Sequence, residues 1–127
     1  AMRTSERASA LVREMPAQSR IVSDEELSKA LDYLRDSAGA IGDAKARAVR
    51  AGHMLKHIEA LLMKGSREKS AEARKADARC SEKWLEAVEE DAIAAGEYEK
   101  LKSLREAAAL KIEAWRSEQA NYRAMKI

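Results

Sequence analysis

His53 and His57, spaced i, i+4, form the pair by which a helix often presents two imidazoles to a divalent metal. Cys80, on a helix returning past them, would supply a third ligand. Helical phase separates the three. Relative to the apolar positions at Ala44, Ala48 and Ala51, both histidines lie on the opposite face, whereas Cys80 falls on an apolar stripe. No metal or cofactor is therefore expected. The histidines read as solvated, and Cys80 as a small buried hydrophobe rather than a nucleophile. Glu86, Glu89, Glu90 and Asp91 supply carboxylates, but paired acids need a sheltered cleft to shift their pKa values, and Glu86 and Glu89 should face water. The chain contains no HExxH, glycine-rich phosphate loop, zinc-knuckle spacing or Ser-His-Asp set, so an enzyme is not expected.

Charge is distributed unevenly despite a net +2. Residues 44–58 hold four basic side chains, both histidines and no acid, while 84–99 hold six acids and no base. The last stretch, 100–127, is basic again. Arg47, Arg50, His53 and His57 form a positive stripe suited to phosphate. With Arg116 and Arg123 on the basic C-terminal helix, and Trp115 and Tyr122 for stacking, the set describes a single-stranded nucleic-acid interface. The competing reading makes the stripe an ordinary solvated face and both aromatics core. A third use for the oppositely charged segments is to set hairpin register or to complement a second chain.

Positioning these residues falls to helices. Ala, Glu, Lys, Leu and Arg make 77 of the 127 residues, there is one Pro and no Phe, and Val and Ile total only ten. Strand-based folds need more β-branched and aromatic residues than that. Because 26 of the apolar residues are Ala, the core is thin for a compact globule, and self-association, most simply as a dimer, is expected. A single cysteine excludes an internal disulfide and fits the cytoplasm. No apolar run reaches the roughly 18 residues of a membrane span, no signal peptide is visible, and Ala1 before Met2 reads as a cloning scar.

The spacing predicts an all-α, elongated, antiparallel helical hairpin with a short N-terminal helix. That short helix covers about 5–14 and ends before Pro16, with a connector to Val22. Ser23 with Glu26 forms a capping box, and Val22 and Leu27 occupy its staple positions. The first long helix is expected over 24–64, with Gly65 as a left-handed residue beyond its end. Its seam reads Leu27, Leu31, Leu34, Ala38, Ile41, then Ala44, Ala48, Ala51, Leu55, Ile58 and Leu62. The two consecutive threes at Ile41, beside Gly39 and Gly42, predict a stammer and a bend.

The second long helix is expected to start near Ser66 or Ser70 and to continue through Gly96. Cys80, Ala87, Ala94, Leu101, Ala108, Trp115 and Tyr122 hold a seven-residue period, with Trp84, Tyr98 and Ile112 between them and Asp91, Arg105 and Gln119 interrupting. A fold at Gly65–Ser66 would pair the first long helix with about 67–107. The C-terminal end would then project, with Ile112, Trp115, Tyr122 and Met125 free for self-association or for the N-terminal helix to cover.

Gly96-Glu97-Tyr98-Glu99-Lys100-Leu101 resembles the turn of a tetratricopeptide repeat, and the stretch through Leu104-Arg105 is similar to the hairpin by which excision-repair nuclease subunits pair. Neither recurs, as an array would require. A broader likeness rests on Ala30-Leu31-Asp32-Tyr33-Leu34-Arg35-Asp36, Ala60-Leu61-Leu62-Met63-Lys64 and Ala114-Trp115-Arg116-Ser117-Glu118-Gln119-Ala120-Asn121 with Arg123-Ala124-Met125. In order and spacing these resemble small helical proteins of phages and prophages encoded near recombination and single-strand-annealing genes. The resemblance implies an accessory role in DNA metabolism, carried by an interaction protein with a further protein partner; direct nucleic-acid binding is the alternative.

Overall fold

The computed structural model describes residues 21–125, and among them the regular structure is entirely helical. Four helices follow one another: α1 (Asp24–Asp36), α2 (Ala38–Gly65), α3 (Ala71–Arg79) and α4 (Glu82–Met125). The expected helix before Pro16 lies outside the described residues. None of the four is long and apolar enough to cross a membrane.

Local chemistry explains each start. Ser23 Oγ accepts from the Glu26 N–H at 3.1 Å and donates to Glu26 Oε1 at 3.3 Å, while Asp24, Glu25 and Glu26 place negative charge on the amide-rich end of α1. Val22, at the staple position, is buried. Ser70 Oγ accepts from Ala73 N at 3.0 Å to start α3. Ser81 Oγ accepts from Lys83 N at 3.3 Å ahead of α4.

The chain divides into two compact units, one from residues up to Ala38 with those from Ser103 onward, the other Gly39–Lys102. Within each, helices pair antiparallel. In the first, Ile21 N donates to Glu118, Trp115 Nε1 donates to Asp24 Oδ1 at 3.4 Å, and Arg105 reaches Leu34 and Ser37, so partners fall along α4 as numbers rise through α1. In the second, Arg47 bonds Glu90 and Glu97, and Glu59 bonds Arg79. Gly52 lies beside Asp91.

Several expectations are corrected. The first long helix is not continuous, because it turns at Ser37 (φ −90°, ψ −3°), whose N–H donates to Tyr33 O at 2.9 Å. Nor is there a stammer at Ile41. Leu31 is 50% exposed and Ala38 is exposed, while Ala30 (5%) and Ser37 take the seam, so Leu27, Ala30, Leu34, Ser37, Ile41 and Ala44 keep an unbroken 3-4 alternation. The small residues win because Arg105 Nη1 reaches in to donate to Leu34 O at 2.7 Å and Ser37 Oγ at 2.6 Å. Leu34 O is one of the last-turn carbonyls that a helix end leaves unpaired, and the guanidinium caps it.

Gly65 closes α2, and no described residue, Gly65 included, has positive φ. The turn is instead tied by Ser66, whose N–H donates to Met63 O and whose Oγ donates to Asp77 Oδ2 at 2.7 Å. The second long helix breaks at Cys80–Ser81, where Cys80 caps α3 and is exposed rather than buried. Residues 66–70 make the turn, centred later than Gly65–Ser66, and α3 already runs back beside α2, with Asp77 on Ser66, Arg79 on Glu59 and Ala78 buried. That shift brings 105–118 against α1 and its lead-in, so Trp115 is covered rather than projecting. The helix does run unbroken through Gly96.

Arg105→Ala removes the donor from the α1 terminus and is expected to lower unfolding stability by about 1–3 kcal/mol in urea denaturation. Helical circular dichroism before the transition should be unchanged.

Candidate nucleic-acid interface

The four residues of the proposed stripe sit on α2, and the structure treats them differently. Arg47 is engaged: its Nη2 donates to Glu90 Oε1 at 2.8 Å and its Nη1 to Glu97 Oε2 at 2.7 Å. These carboxylates occupy α4 positions one helical repeat of seven apart, so one guanidinium fork spans both. Hydrogen bonding to Glu90, then the charges of Glu90 and Glu97, hold the Arg47 guanidinium above its ordinary range. A raised folded-state pKa contributes stability fully present below the unfolded value and lost only as pH rises through the folded one. The pairing is therefore constant through neutral pH.

Arg50, His53 and His57 are exposed and make no ion pair among the described residues. Arg116 and Arg123 belong to the other unit: Arg116 pairs with Glu113 at 3.1 Å, and Arg123 Nε donates to Gln119 O at 3.4 Å. The residues expected to self-associate divide likewise. Ile112, Trp115 and Tyr122 are half-buried, with Trp115 bonded to the chain's own Asp24, whereas Met125 is 81% exposed.

Two arrangements escaped sequence reasoning. Arg79 forms an ion pair with Glu59 at 3.1 Å and lies 5.6 Å from the Trp84 ring centroid, fastening α3 to α2 and α4. The i, i+5 spacing of Arg79 and Trp84 crosses a helix break, so helical periodicity hides it. Arg105 was visible only as an interruption of the seam. Its spacing of fourteen from both Asp91 and Gln119 was the available signal that these polar residues share a role.

A shallow hollow of about 410 Å³ is lined by Leu61, Ser66, Asp77, Cys80 and Ser81 near the bend. Among the described residues no group of three His, Cys, Asp or Glu is placed to hold a metal ion. Of the expected stripe, Arg50, His53 and His57 are left on the exposed surface of α2 to meet an anion, beside Lys45, Lys56 and Lys64 of the same helix, with Arg47 held by carboxylates.

Arg47→Ala is expected to lower the melting temperature slightly, and the difference from wild type should shrink in high salt because the pairs are largely exposed. Thermal melts at two salt concentrations check this. No family model matches the chain, and no curated protein or solved structure matches it either.

Proposed function

We propose that the chain is a non-enzymatic helical interaction protein of the cytoplasm, phage or prophage encoded, that acts as an accessory to DNA recombination or replication. One observation carries the interaction part. Among the described residues, seven of the eight buried apolar residues are alanines, whereas Leu31, Val49, Leu61, Leu85 and Leu110 are among the large side chains left on the surface. A chain that fully buries little but alanine and leaves several leucines exposed has apolar area to offer a partner. The link to DNA metabolism is supported by the sequence resemblance to phage helical proteins alone.

A second reading, direct binding of single-stranded nucleic acid, is favoured by Arg50, His53 and His57, which are exposed on one helix and make no ion pair among the described residues. Phosphate binding releases counterions, so affinity would fall steeply with salt. Titration of labelled single- and double-stranded DNA at two salt concentrations separates the two. The interaction reading expects no salt-sensitive binding at micromolar protein and expects affinity capture from host cells to retain a recombination or replication protein. Salt-sensitive binding whose log–log slope drops by about 1 in Arg50→Ala would transfer the function to nucleic acid.

A further inference from the structure

Down one side of α4, Leu104, Ala107, Lys111, Ala114 and Glu118 follow one another at 3-4 spacing and so form a single line. The first three are exposed, and a shallow hollow of about 420 Å³ opens beside them over Ala30, Tyr33 and Ala108. Ala114 and Glu118 are half-buried. Cover therefore begins between Lys111 and Ala114, to one side of the seam that α1 occupies. Burial on the seam changes at the same level. Where two helices meet, large seam side chains such as Leu27, Leu34, Ile41, Leu55 and Leu101 stay half-buried, because a pair of helices cannot enclose them. Val22 and Gln119, 3% and 4% exposed, are fully enclosed. Yet α1 begins only at Asp24, beside Trp115, so opposite Gln119 the described chain offers the lead-in at residues 21–22 and no helix. Two buried polar atoms there have no partner among the described residues, Gln119 Nε2 and Glu118 Oε2. The amide needs an acceptor and the carboxylate a donor.

We propose that the chain's own residues 5–15 cover this end of α4 as a third layer, over Ala114, Trp115, Glu118 and Tyr122, and that Gln119 Nε2 donates to an open carbonyl ahead of Pro16. Three features select that occupant. Ala8, Leu11, Val12 and Met15 recur at i, i+3, i+4 and i+7, which gives a helix one apolar face. The segment is also tethered in place, since Ile21 N donates to Glu118 Oε1 and residues 16–20 reach about 20 Å at most when extended. Finally, Pro16 has no N–H to return to the carbonyl four residues before it, so a helix ending there has acceptors to spare. Arg105 already serves the end of α1 in this way, through Leu34 O, and Gln119 stands fourteen residues after it on the same seam. The bond relieves the cost that the amide carries among the described residues. The end expected to self-associate is then closed within one chain.

Tryptophan fluorescence of the full chain tests it, in a Trp84→Phe background where Trp115 is the one indole left. Leu11→Lys should shift Trp115 emission to the red and raise its quenching by acrylamide, while Ala10→Lys, on the opposite face of the segment, should change neither. Val12→Thr, close in shape to the original, should move the same readouts less and carries the test if Leu11→Lys fails to fold. Gln119→Leu decides the hydrogen bond. With a carbonyl left unpaired, Trp115 should become more exposed and stability should fall, whereas an amide without any partner would make leucine stabilising. Cross-linking decides the occupant: in a Cys80→Ser chain carrying Leu11→Cys and Ala114→Cys, a short bis-maleimide should join the two thiols within one chain. Unchanged Trp115 emission in both Leu11→Lys and Val12→Thr, a stabilising Gln119→Leu, or cross-linked dimers in place of cross-linked monomers would overturn the proposal.

Discussion

Helix pairing over alanine is the constraint on which the rest of the structure depends. Ala30, Ala44, Ala51, Ala78, Ala87, Ala94 and Ala108 are buried, and among the described residues the one larger buried apolar residue is Val22. A buried methyl group contributes only about 0.8 kcal/mol, so a seam of alanines stabilises weakly per position. It must therefore be long and kept in one phase. Within α4 the helix runs unbroken through Gly96, at a cost of about 1 kcal/mol in helix propensity. Alanine itself favours the helix, so the residues that make the seam thin also make the helices that carry it.

A seam of identical small residues specifies register poorly, since sliding by one repeat would bury much the same area. Polar groups supply the missing specificity. Asp91, Arg105 and Gln119 recur on α4 at intervals of fourteen, and two of them meet small residues across the interface: Asp91 beside Gly52, and Arg105 bonded to Ser37. Arg105 has its acceptors only in the observed register, because only there does a helix end present a free carbonyl. Arg47 acts similarly through Glu90 and Glu97. Gln119 is buried with its Nε2 unpartnered among the described residues, a cost that this end of the seam carries. Single polar residues at seam positions fix register at some expense of stability in coiled coils generally.

How much of this was legible in the sequence follows from the same physics. The helical class, the Ser23 capping box and the seven-residue stripe from Ala87 through Tyr122 were legible because they depend on local spacing. Leu31 and Ala38 were given to the seam because the larger or more apolar side chain attracts the assignment, while Ala30 and Ser37 take it through contacts with a helix seventy residues away. Ser70, one of the two expected starts, does cap α3, but the break at Cys80–Ser81 was missed, since Ser81 reads as an ordinary helix-surface residue until its hydroxyl is seen capping. Cys80 followed from that error: the stripe was extended through a helix break, and the thiol is exposed. For the candidate interface, the sequence correctly put Arg50, His53 and His57 on the surface, but the engagement of Arg47 by two acids requires the pairing register. No local signal carries that register.

The chain thus separates two tasks. Small and polar residues help hold each antiparallel pair in one register, and part of the larger apolar set, Leu31, Val49, Leu61, Leu85 and Leu110 among it, is left on the surface. The most direct test of the first is the denaturant stability of Ala94→Leu, at the seam position that is 1% exposed. A closely packed alanine seam predicts that the added bulk destabilises by about 1–3 kcal/mol, despite leucine's greater hydrophobicity and comparable helix propensity. An unchanged or raised stability would contradict it, because it would mean that the helices stand far enough apart at Ala94 to admit a larger side chain.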